Sequence, residues 1–341
     1  MKFFKLLSGL IIVGLSAGFA FYLYVFRSEN IRPKTFDLYI PTGADYSTVE
    51  DSLVFNGVLL NKMSFAIAAR ILKYPQLVKP GRYVLTEKMN NKMIIDILRT
   101  GQQTPVRLTF HTISFFEELA SITAGHLEAD STTFLNYFTN EKHAQQYGFS
   151  KETFRLMFIP DTYEFFWNTS PEIFSKRMYA YYQNFWTSER IEMSGKIGLT
   201  PIEIGILASI VESETKKTEE MPIVAGLYIN RLRKNIPLQA DPTVVYATQL
   251  ERGSRSRRVY FKDLKTDSPY NTYLYKGLPP GPILFPSKAA LLSVLHAEKH
   301  NYLYMCADPE KPGYHLFTAD YQQHLRNAVR YHRWLNSHRI N

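Results

Sequence analysis

The chain has 341 residues, 45% of them hydrophobic and 14% aromatic, which is enough for a sizeable core and suggests about two globular units. Its net charge of +9 is compatible with nucleic acid, anionic lipid or an acidic polymer, and by itself selects none of them. Because Cys306 is the single cysteine, an intrachain disulfide and a cysteine-based zinc or iron–sulfur site are excluded.

The first predicted element is a transmembrane helix over residues 6–26, which carry no charge. At 1.5 Å per residue this run spans roughly 31 Å, about one hydrocarbon core. Residues 1–5 would then be a short tail on the cytoplasmic side. A cleaved signal peptide is the alternative, because residues 18–20 offer small side chains at suitable spacing. The aromatic end of the run, FYLYVF at residues 21–26, favours an uncleaved anchor.

A small α+β module is predicted over residues 36–105, after a polar, proline-containing tether at residues 28–34. Alternating or helically spaced apolar residues predict, in order, a strand at 36–40, helices at 47–58 and 62–72, a strand at 82–85 and a helix at 93–99. Gly101 suits the end of that last helix.

Residues 106–341 are predicted to form a larger, mixed α+β region, so the fold class of the whole chain is α+β. It begins with a strand at 106–110 and includes an aromatic, amphipathic helix at 172–186. Residues 302–307 alternate like a buried strand, which makes Cys306 a core thiol and disfavours a nucleophile.

The most informative stretch is a helix that begins at Thr200. Thr200 and Glu203 form a capping box, and the proline between them suits the first helical position. Residues 202–214 are apolar on nearly every face, as in a buried helix. Glu212 lies near the end of this helix. Glu214 is about 200° further round the helix, so the two carboxyl groups are not expected to act as a pair.

The face of the helix that carries Glu212 lacks bulky side chains, because it contains Gly205, Ala208 and Ser209. This stripe either borders a ligand groove or packs closely against another element. Desolvation favours the protonated form of a carboxyl group, which is what a general acid needs. From the residues alone, pairing of Glu212 with an arginine such as Arg231 remains the alternative.

Several motifs follow this helix in a fixed order. They are LASIVESET (207–215), VAGLYINRL (224–232), LQADPTV (238–244), YNTY (270–273), GLPPGPI (277–283), YLY (302–304) and HLF (315–317) with His324, preceded by IPDTY (159–163). Together they resemble the MltG (YceG-like) family of endolytic murein transglycosylases, over nearly the whole chain.

The resemblance implies a lyase that cleaves the MurNAc–GlcNAc β-1,4 bond within nascent glycan strands, leaves 1,6-anhydro-MurNAc ends and so terminates strand elongation. It assigns the catalytic role to the glutamate that follows Ile210 and Val211, which is Glu212. Attack by the sugar's own 6-hydroxyl explains why no second carboxylate is evident, whereas ordinary glycosidases need a pair.

Five further residues are candidates for substrate binding. Gln239 and Asp241, with Thr243, are expected in an extended loop around Pro242, where they either point into a cleft or fix the loop. Asn271 and Tyr273 are suited to hydrogen bonds with sugar hydroxyl or N-acetyl groups. His315 is a further candidate, whereas His324, on the last helix, is expected to be structural.

The resemblance also implies location and partners. A single-pass protein of the cell inner membrane is expected, with residues 106–341 as a periplasmic catalytic domain and residues 36–105 as a LysM-like module. Glycan strands of peptidoglycan are the expected substrate and peptidoglycan synthases the expected partners. No cofactor or metal is expected, since His296 and His300 lack the zincin order and a third ligand. Nucleic acid is not expected either, although residues 252–258 form a basic loop.

The rival hypothesis is a non-catalytic, membrane-tethered glycan-binding scaffold of cell-wall assembly. The two hypotheses predict different structures. An enzyme should carry Glu212 on the floor of an open cleft that Gln239 or Asn271 faces, whereas a scaffold should bury Glu212 in a closed core beside an arginine.

Overall fold

The computed structural model of the protein describes residues 2–32, 34–254 and 260–337. The chain divides into two compact units, each assembled from several stretches. The first unit comprises Met1–Leu108, Ala124–Asp130 and Tyr163–Ser170, and the second comprises Thr109–Thr123, Ser131–Thr162 and Pro171–Asn341. Helices and strands occur in both, so the predicted α+β class is confirmed.

The first unit contains the N-terminal helix and a small α+β fold. Its elements are α1 (Lys2–Tyr22), a π-helical segment (Leu23–Arg27), β1 (Phe36–Ile40), α2 (Tyr46–Phe55), α3 (Lys62–Ile71), a 3₁₀ turn (Tyr74–Gln76), β2 (Gly81–Leu85) and α4 (Asn91–Thr100). Strands β1 and β2 pair antiparallel, with Phe36 opposite Leu85 and Ile40 opposite Gly81. The predicted order of strand, helix, helix and strand is therefore present.

Local hydrogen bonds explain where the helices of this unit begin. Asp45, Asn61 and Asn90 each accept, through the side chain, a backbone N–H from the first turn of α2, α3 and α4 respectively. Such caps satisfy donors that would otherwise have no partner. Gly101 ends α4 with φ of 76°, as its position predicts.

The N-terminal helix is long and apolar enough, from Phe3 to Arg27, to cross a membrane, although a signal sequence has the same properties. Its side chains are exposed up to Tyr24, but Val25 is fully buried in the hydrophobic core of the first unit. The end of this helix is therefore part of a folded unit.

The predicted tether at residues 28–34 is wrong for the residues that the structure describes, and Pro33 lies outside them. Asn30 is 1% exposed. Its Oδ1 accepts from the backbone N of Asn61 at 2.5 Å, and its Nδ2 donates to Oδ1 of Asn91 at 2.5 Å. Ile31 forms a β-bridge with Leu59. The polar character of residues 28–32 does not indicate a linker here, because Asn30 bonds to residues that are distant in the sequence.

The second unit is mostly helical. Its elements, with the strands that lead into and out of it, are β3 (Val106–Phe110), α5 (Phe116–Ala124), α6 (Ser131–Phe138), α7 (Glu141–Gln146), a 3₁₀ turn (Phe154–Met157), β4 (Asp161–Phe165), α8 (Pro171–Phe185), α9 (Ser188–Ile197), α10 (Pro201–Glu214), α11 (Met221–Arg233), α12 (Asp241–Arg252), a 3₁₀ turn (Asp263–Lys265), α13 (Lys288–Leu295), β5 (Tyr304–Ala307), β6 (His315–Thr318) and α14 (Tyr321–Ser337). Strand β3 pairs with β4, and β5 pairs with β6.

Helix α10 is the central helix of this unit and contacts α11, α12 and α13. It begins with the predicted capping box of Thr200 and Glu203, and every residue from 204 to 212 is buried. The stripe of small residues on the Glu212 face is closely packed. A Cβ on Gly205 would lie 2.7 Å from the Leu156 side chain, and Oγ of Ser209 accepts from the backbone N of Ile283 at 3.1 Å.

Candidate active site

Glu212 is buried and fully engaged. It is 6% exposed. Its Oε1 accepts from the Thr112 hydroxyl at 2.7 Å, and its Oε2 accepts from the backbone N of Ser287 at 2.8 Å. Because Ser287 is the N-cap of α13, the carboxylate also lies at the positive end of that helix. These contacts fasten α10 to α13.

The alternative partner predicted for Glu212, Arg231, bonds elsewhere. Its guanidinium donates to the backbone carbonyls of Leu303, Pro237 and Leu238 at 2.6 to 3.0 Å and to Oε1 of Gln239 at 3.1 Å. The pairing with Glu212 is therefore wrong, and Arg231 instead holds together the backbone of three segments.

A cavity of about 430 Å³ opens on the other side of α10. Its lining includes four of the predicted site residues, Gln239, Asp241, Tyr273 and His315, but neither Glu212 nor Asn271. The rest of the lining is Glu214, Leu227, Tyr228, Arg231, Leu238, Leu303, Tyr304, Met305, Cys306, Ala307, Tyr321 and His324. The predicted position of Glu212 on the floor of this cavity is thus wrong, and the glutamate of α10 that lines it is Glu214.

Glu214 is the acidic group of α10 that faces this cavity, where it is partly exposed. Its Oε1 accepts from the hydroxyl of Tyr228 at 2.6 Å. Burial raises the pKa of Glu214 to about 7; the nearby charge of Asp241 acts in the same direction, and the Tyr228 hydrogen bond and Arg231 oppose it. A carboxyl group with this pKa is able to donate and to recover a proton at neutral pH.

Asp241 and Tyr273 form one wall of the cavity, where the Tyr273 hydroxyl donates to Oδ1 of Asp241 at 2.6 Å. The predicted extended loop around Pro242 is wrong, because Asp241 and Pro242 are the first two residues of α12. Thr243 is fully buried and donates to the carbonyl of Ala240 at 2.7 Å. An acidic residue followed by proline suits a helix start, and this signal was available in the sequence.

Gln239 adopts an unusual backbone conformation beside the cavity. Its φ is 54°, in the left-handed region that residues other than glycine rarely occupy. Its backbone N donates to the carbonyl of Thr272 at 3.0 Å, and its side-chain oxygen accepts from Arg231 at 3.1 Å. The surrounding structure therefore imposes this conformation, and the side chain lies on the cavity wall.

Asn271 is buried, does not line the cavity, and forms hydrogen bonds within its own loop. Its Nδ2 donates to the carbonyls of Leu264 and Thr266 at 3.0 and 2.9 Å, and its Oδ1 accepts from the backbone N of Tyr273 at 3.0 Å. Every polar atom of the side chain thus bonds to backbone. Asn271 therefore fixes the geometry of its own loop.

Two histidines face the cavity. Nδ1 of His315 lies 2.9 Å from Oε2 of the buried Glu220, whose Oε1 accepts from the His315 backbone N at 2.7 Å. His324 stacks on Tyr304, and its Nδ1 has no hydrogen-bond partner within the described part of the chain. Burial lowers the pKa of His324, with Arg231 contributing. Although His324 was expected to be structural, it lies on the wall of the cavity.

The strand predicted around Cys306 is present as β5. The thiol is half-buried and lines the cavity, and burial raises its pKa. The predicted core thiol is therefore wrong, since no residue of β5 is fully buried, although a raised thiol pKa disfavours the thiolate form.

The remaining polar motifs form no metal site in the described ranges. Among residues 2–32, 34–254 and 260–337, no group of three or more His, Cys, Asp or Glu side chains is arranged to hold a metal ion. Of the basic loop at residues 252–258, Arg252 pairs with Asp263 at 2.8 Å, and residues 255–258 lie outside the described residues.

Glu214 and Tyr228 are the cavity residues that sequence reasoning missed. Both stand inside quoted motifs, at residues 207–215 and 224–232, but nothing local distinguishes Glu214 from Glu212. The signal that separates them is the facing helix, because Tyr228 lies on α11 and its hydroxyl reaches only one of the two carboxyl groups.

Comparison with known proteins places this geometry in a family context. The model of the YceG-like family matches residues 38–330. An endolytic murein transglycosylase of Bacillus subtilis (strain 168) is 28% identical over 322 residues, which cover 89% of this chain and 86% of the relative. A second protein of that name, from Streptococcus pneumoniae serotype 2 (strain D39), is 27% identical over 349 residues.

The match to the pneumococcal relative covers 92% of this chain and 62% of the relative's length. Among solved structures, a crystal structure of a YceG-like protein from Listeria monocytogenes superposes with a TM-score of 0.55. It shares 24% sequence identity and covers 86% of this chain and 99% of the Listeria chain. This similarity shows that the two proteins share a fold, and it shows nothing beyond the fold.

Proposed function

We propose that this chain, which belongs to the YceG-like family, is an endolytic murein transglycosylase, a lyase that cuts within the glycan strands of peptidoglycan. Two relatives that match most of the chain carry that name. The observation that supports the proposal most strongly is the position of Glu214, a carboxyl group with a pKa of about 7 that faces a cavity.

We assign the catalytic role to Glu214 in place of Glu212. The resemblance assigned this role to Glu212, which shares one motif with Glu214, and the contacts of the two side chains support the reassignment. Glu212 already has two hydrogen-bond donors and is only 6% exposed, so little of its side chain is accessible to a substrate. Among the described residues Glu214 has one donor, Tyr228, and it shares the cavity with Gln239, Asp241, Tyr273 and His315.

The proposed reaction needs one carboxyl group. Protonated Glu214 donates its proton to the O4 oxygen of the leaving GlcNAc as the C1–O4 bond of MurNAc breaks. The 6-hydroxyl of the same MurNAc then forms the C1–O6 bond and returns its proton to the Glu214 carboxylate. The product is a 1,6-anhydro-MurNAc end, no water is consumed, and the enzyme regains its starting protonation state. This accounts for a single catalytic glutamate where hydrolases use two.

The other polar side chains of the cavity would bind and orient the sugar. Gln239, Tyr273 and His324 offer hydrogen-bonding groups, and Asp241 and Glu220 hold Tyr273 and His315 in place. Arg231 would act through Gln239, because its Nη1 donates to that side chain and to backbone carbonyls and its Nε donates to another carbonyl.

The proposed location is the cell inner membrane, with α1 as an uncleaved single-pass anchor and the catalytic part in the periplasm. The length and apolar character of residues 3–27 support this. Nascent strands close to the membrane would be the substrate, so that cleavage terminates elongation, and peptidoglycan synthases would be neighbours. The strand–helix–helix–strand order at residues 36–85 supports a LysM-like, glycan-binding role for the small fold of the first unit.

The test is cleavage of uncrosslinked glycan strands by the full chain in detergent, with products analysed by mass. Wild type and Glu212→Gln should both yield anhydro-ended fragments, and Glu214→Gln should yield none. Circular dichroism and a thermal melt establish that each variant is folded.

Other outcomes separate the alternatives. Products with hydrated reducing ends would mean a hydrolase and would refute the single-carboxylate mechanism. Activity lost in folded Glu212→Gln and kept in Glu214→Gln would return the catalytic role to Glu212. No cleavage by folded wild type, with glycan binding retained, would favour the scaffold.

A further inference from the structure

The end of the N-terminal helix is clamped to the first turns of α3 and α4. The Tyr24 hydroxyl accepts from Nδ2 of Asn61 at 2.7 Å, and the carbonyl of Val25 accepts from Nδ2 of Asn91 at 2.8 Å. Asn61 is the N-cap of α3, and Asn91 is the first residue of α4. Both helices therefore start beside residues 24–25.

This clamp fixes the depth of α3 and α4 relative to the helix. The uncharged run ends at Phe26, and at 1.5 Å per residue Tyr24 lies only about 5 Å along the axis from Arg27. Tyrosines at the end of a spanning helix occupy the headgroup level of a bilayer. If residues 3–27 span the membrane, the first turns of α3 and α4 must lie at that level too.

The side chains exposed at these two helix starts suit a bilayer interface. Leu60, Met63 and Met93 are 57%, 69% and 47% exposed. Lys62 and Lys92 stand next to the two methionines and are also exposed. Single exposed apolar residues are common on soluble proteins, but these gather where the helix leaves the unit. Apolar side chains flanked by lysines are typical of surfaces that enter anionic headgroups.

We propose that Leu60, Lys62, Met63, Lys92 and Met93 form a lipid-contacting surface, here called the helix-exit surface, that seats the first unit in the headgroup layer of an anionic bilayer. The three apolar side chains enter the boundary with the acyl chains, and the two lysines contact lipid phosphates. The inference rests on the proposed anchor, because it takes its depth from the helix.

Depth-dependent quenching of a fluorescent label tests this in the full chain. In a Cys306→Ser background, single cysteines replace Met63, Met93, Ile71 or Leu15, and each carries an environment-sensitive dye. The protein is reconstituted in vesicles of phosphatidylglycerol and phosphatidylethanolamine, with a nitroxide placed either near the headgroup or near the acyl-chain end. Ile71 is the matched control, because it is 52% exposed but lies about 12 Å from Met63 along α3.

The expected result is loss of fluorescence at positions 63 and 93 with the shallow nitroxide, at position 15 with the deep one, and little loss at position 71. In vesicles of phosphatidylcholine alone, or with Lys62→Glu, the loss at position 63 should decrease while that at position 15 stays unchanged.

Two results would overturn the inference, and they are distinguishable from failure of the anchor. If position 15 is quenched while positions 63 and 93 behave like position 71, the anchor stands and the helix-exit surface does not contact lipid. If all three positions of the folded unit are quenched equally, the contact is not confined to the helix exit. If position 15 itself is unquenched, the anchor fails and the surface fails with it.

Discussion

The two faces of α10 each carry a glutamate, and the two carboxyl groups differ in their hydrogen bonds and in their access to a cavity. On one face, Glu212 receives two hydrogen bonds, from Thr112 and from the backbone of Ser287, and joins two helices of a closed core. On the other face, Glu214 receives one hydrogen bond, from Tyr228, and borders a cavity. The residues are two positions apart, so slightly more than half a turn of helix separates a carboxyl group bonded within the core from one that borders the cavity.

In our proposal, hydrogen-bond donors and desolvation, rather than position in a motif, prepare Glu214 for acid catalysis. Donors stabilise the charged form, and burial without enough of them favours the protonated form. A pKa of about 7 at Glu214 follows from the second condition. Four predictions test whether the two faces differ in this way.

The largest effect is expected on activity. Replacing Glu214 with Gln removes the transferable proton but keeps the shape of the side chain, so turnover should fall by about 100-fold or more. Glu212→Gln is the matched control and should lower turnover per folded molecule only slightly. Release of anhydro-ended fragments, normalised to the folded fraction, measures both variants. Equal losses in the two would contradict a division of roles between the faces.

The next effect is on the pH dependence of stability. Because burial raises the folded-state pKa of Glu214 above its unfolded value, its contribution is fully present below pH 4.5 and is lost as pH rises through about 7. The shift corresponds to about 3 kcal/mol at most. Denaturant unfolding between pH 5 and 8 should therefore show a smaller loss of unfolding free energy in Glu214→Gln than in wild type. Parallel curves would refute the raised pKa.

Glu212→Gln should lower the stability of the fold through its hydrogen bonds. Its amide can accept from only one of the two donors and turns an NH₂ group toward the other, leaving one donor unsatisfied. The expected decrease in the free energy of unfolding is about 1 to 3 kcal/mol. Thr112→Val, which removes one donor from the same cluster, is the companion variant. A variant as stable as wild type would mean that Glu212 does not fasten α10 to α13.

The smallest effect is a displacement of the pH–activity profile. Since the acid must be protonated, wild-type turnover should decline as pH rises through about 7. The Tyr228 hydrogen bond stabilises the Glu214 carboxylate, so Tyr228→Phe should raise the pKa of Glu214 and move the alkaline limb to higher pH. Tyr273→Phe, whose hydroxyl bonds to Asp241, serves as the control. A limb displaced to lower pH would contradict the assigned role of Tyr228.

Much of the fold could be predicted from local pattern. The strands at residues 36–40 and 106–110, the capped start of α10 and the glycine end of α4 were all predicted where the structure has them. At residues 239–243, by contrast, the predicted extended loop is wrong, because an acidic residue followed by proline also marks a helix start and α12 begins there. The prediction of a tether at residues 28–34 is wrong for another reason. The side chain of Asn30 forms hydrogen bonds with residues 31 and 61 positions away, which a local pattern does not reveal.

The candidate site was likewise predicted only in part. Four predicted residues, Gln239, Asp241, Tyr273 and His315, lie on one cavity, whereas Asn271 is used within its own loop. Their catalytic and binding roles stay predictions until activity is measured.

By itself, the sequence determined the apolar N-terminal run, the caps that start the helices, the α+β class and the family, because these depend on residues within a few positions or on ordered motifs. Only the tertiary structure decided which glutamate of α10 meets a cavity and how the end of the N-terminal helix is clamped. The partners that settle these questions lie far along the chain, 100 positions from Glu212 in the case of Thr112. A carboxyl group acquires its protonation behaviour from whatever the completed fold brings within hydrogen-bonding distance.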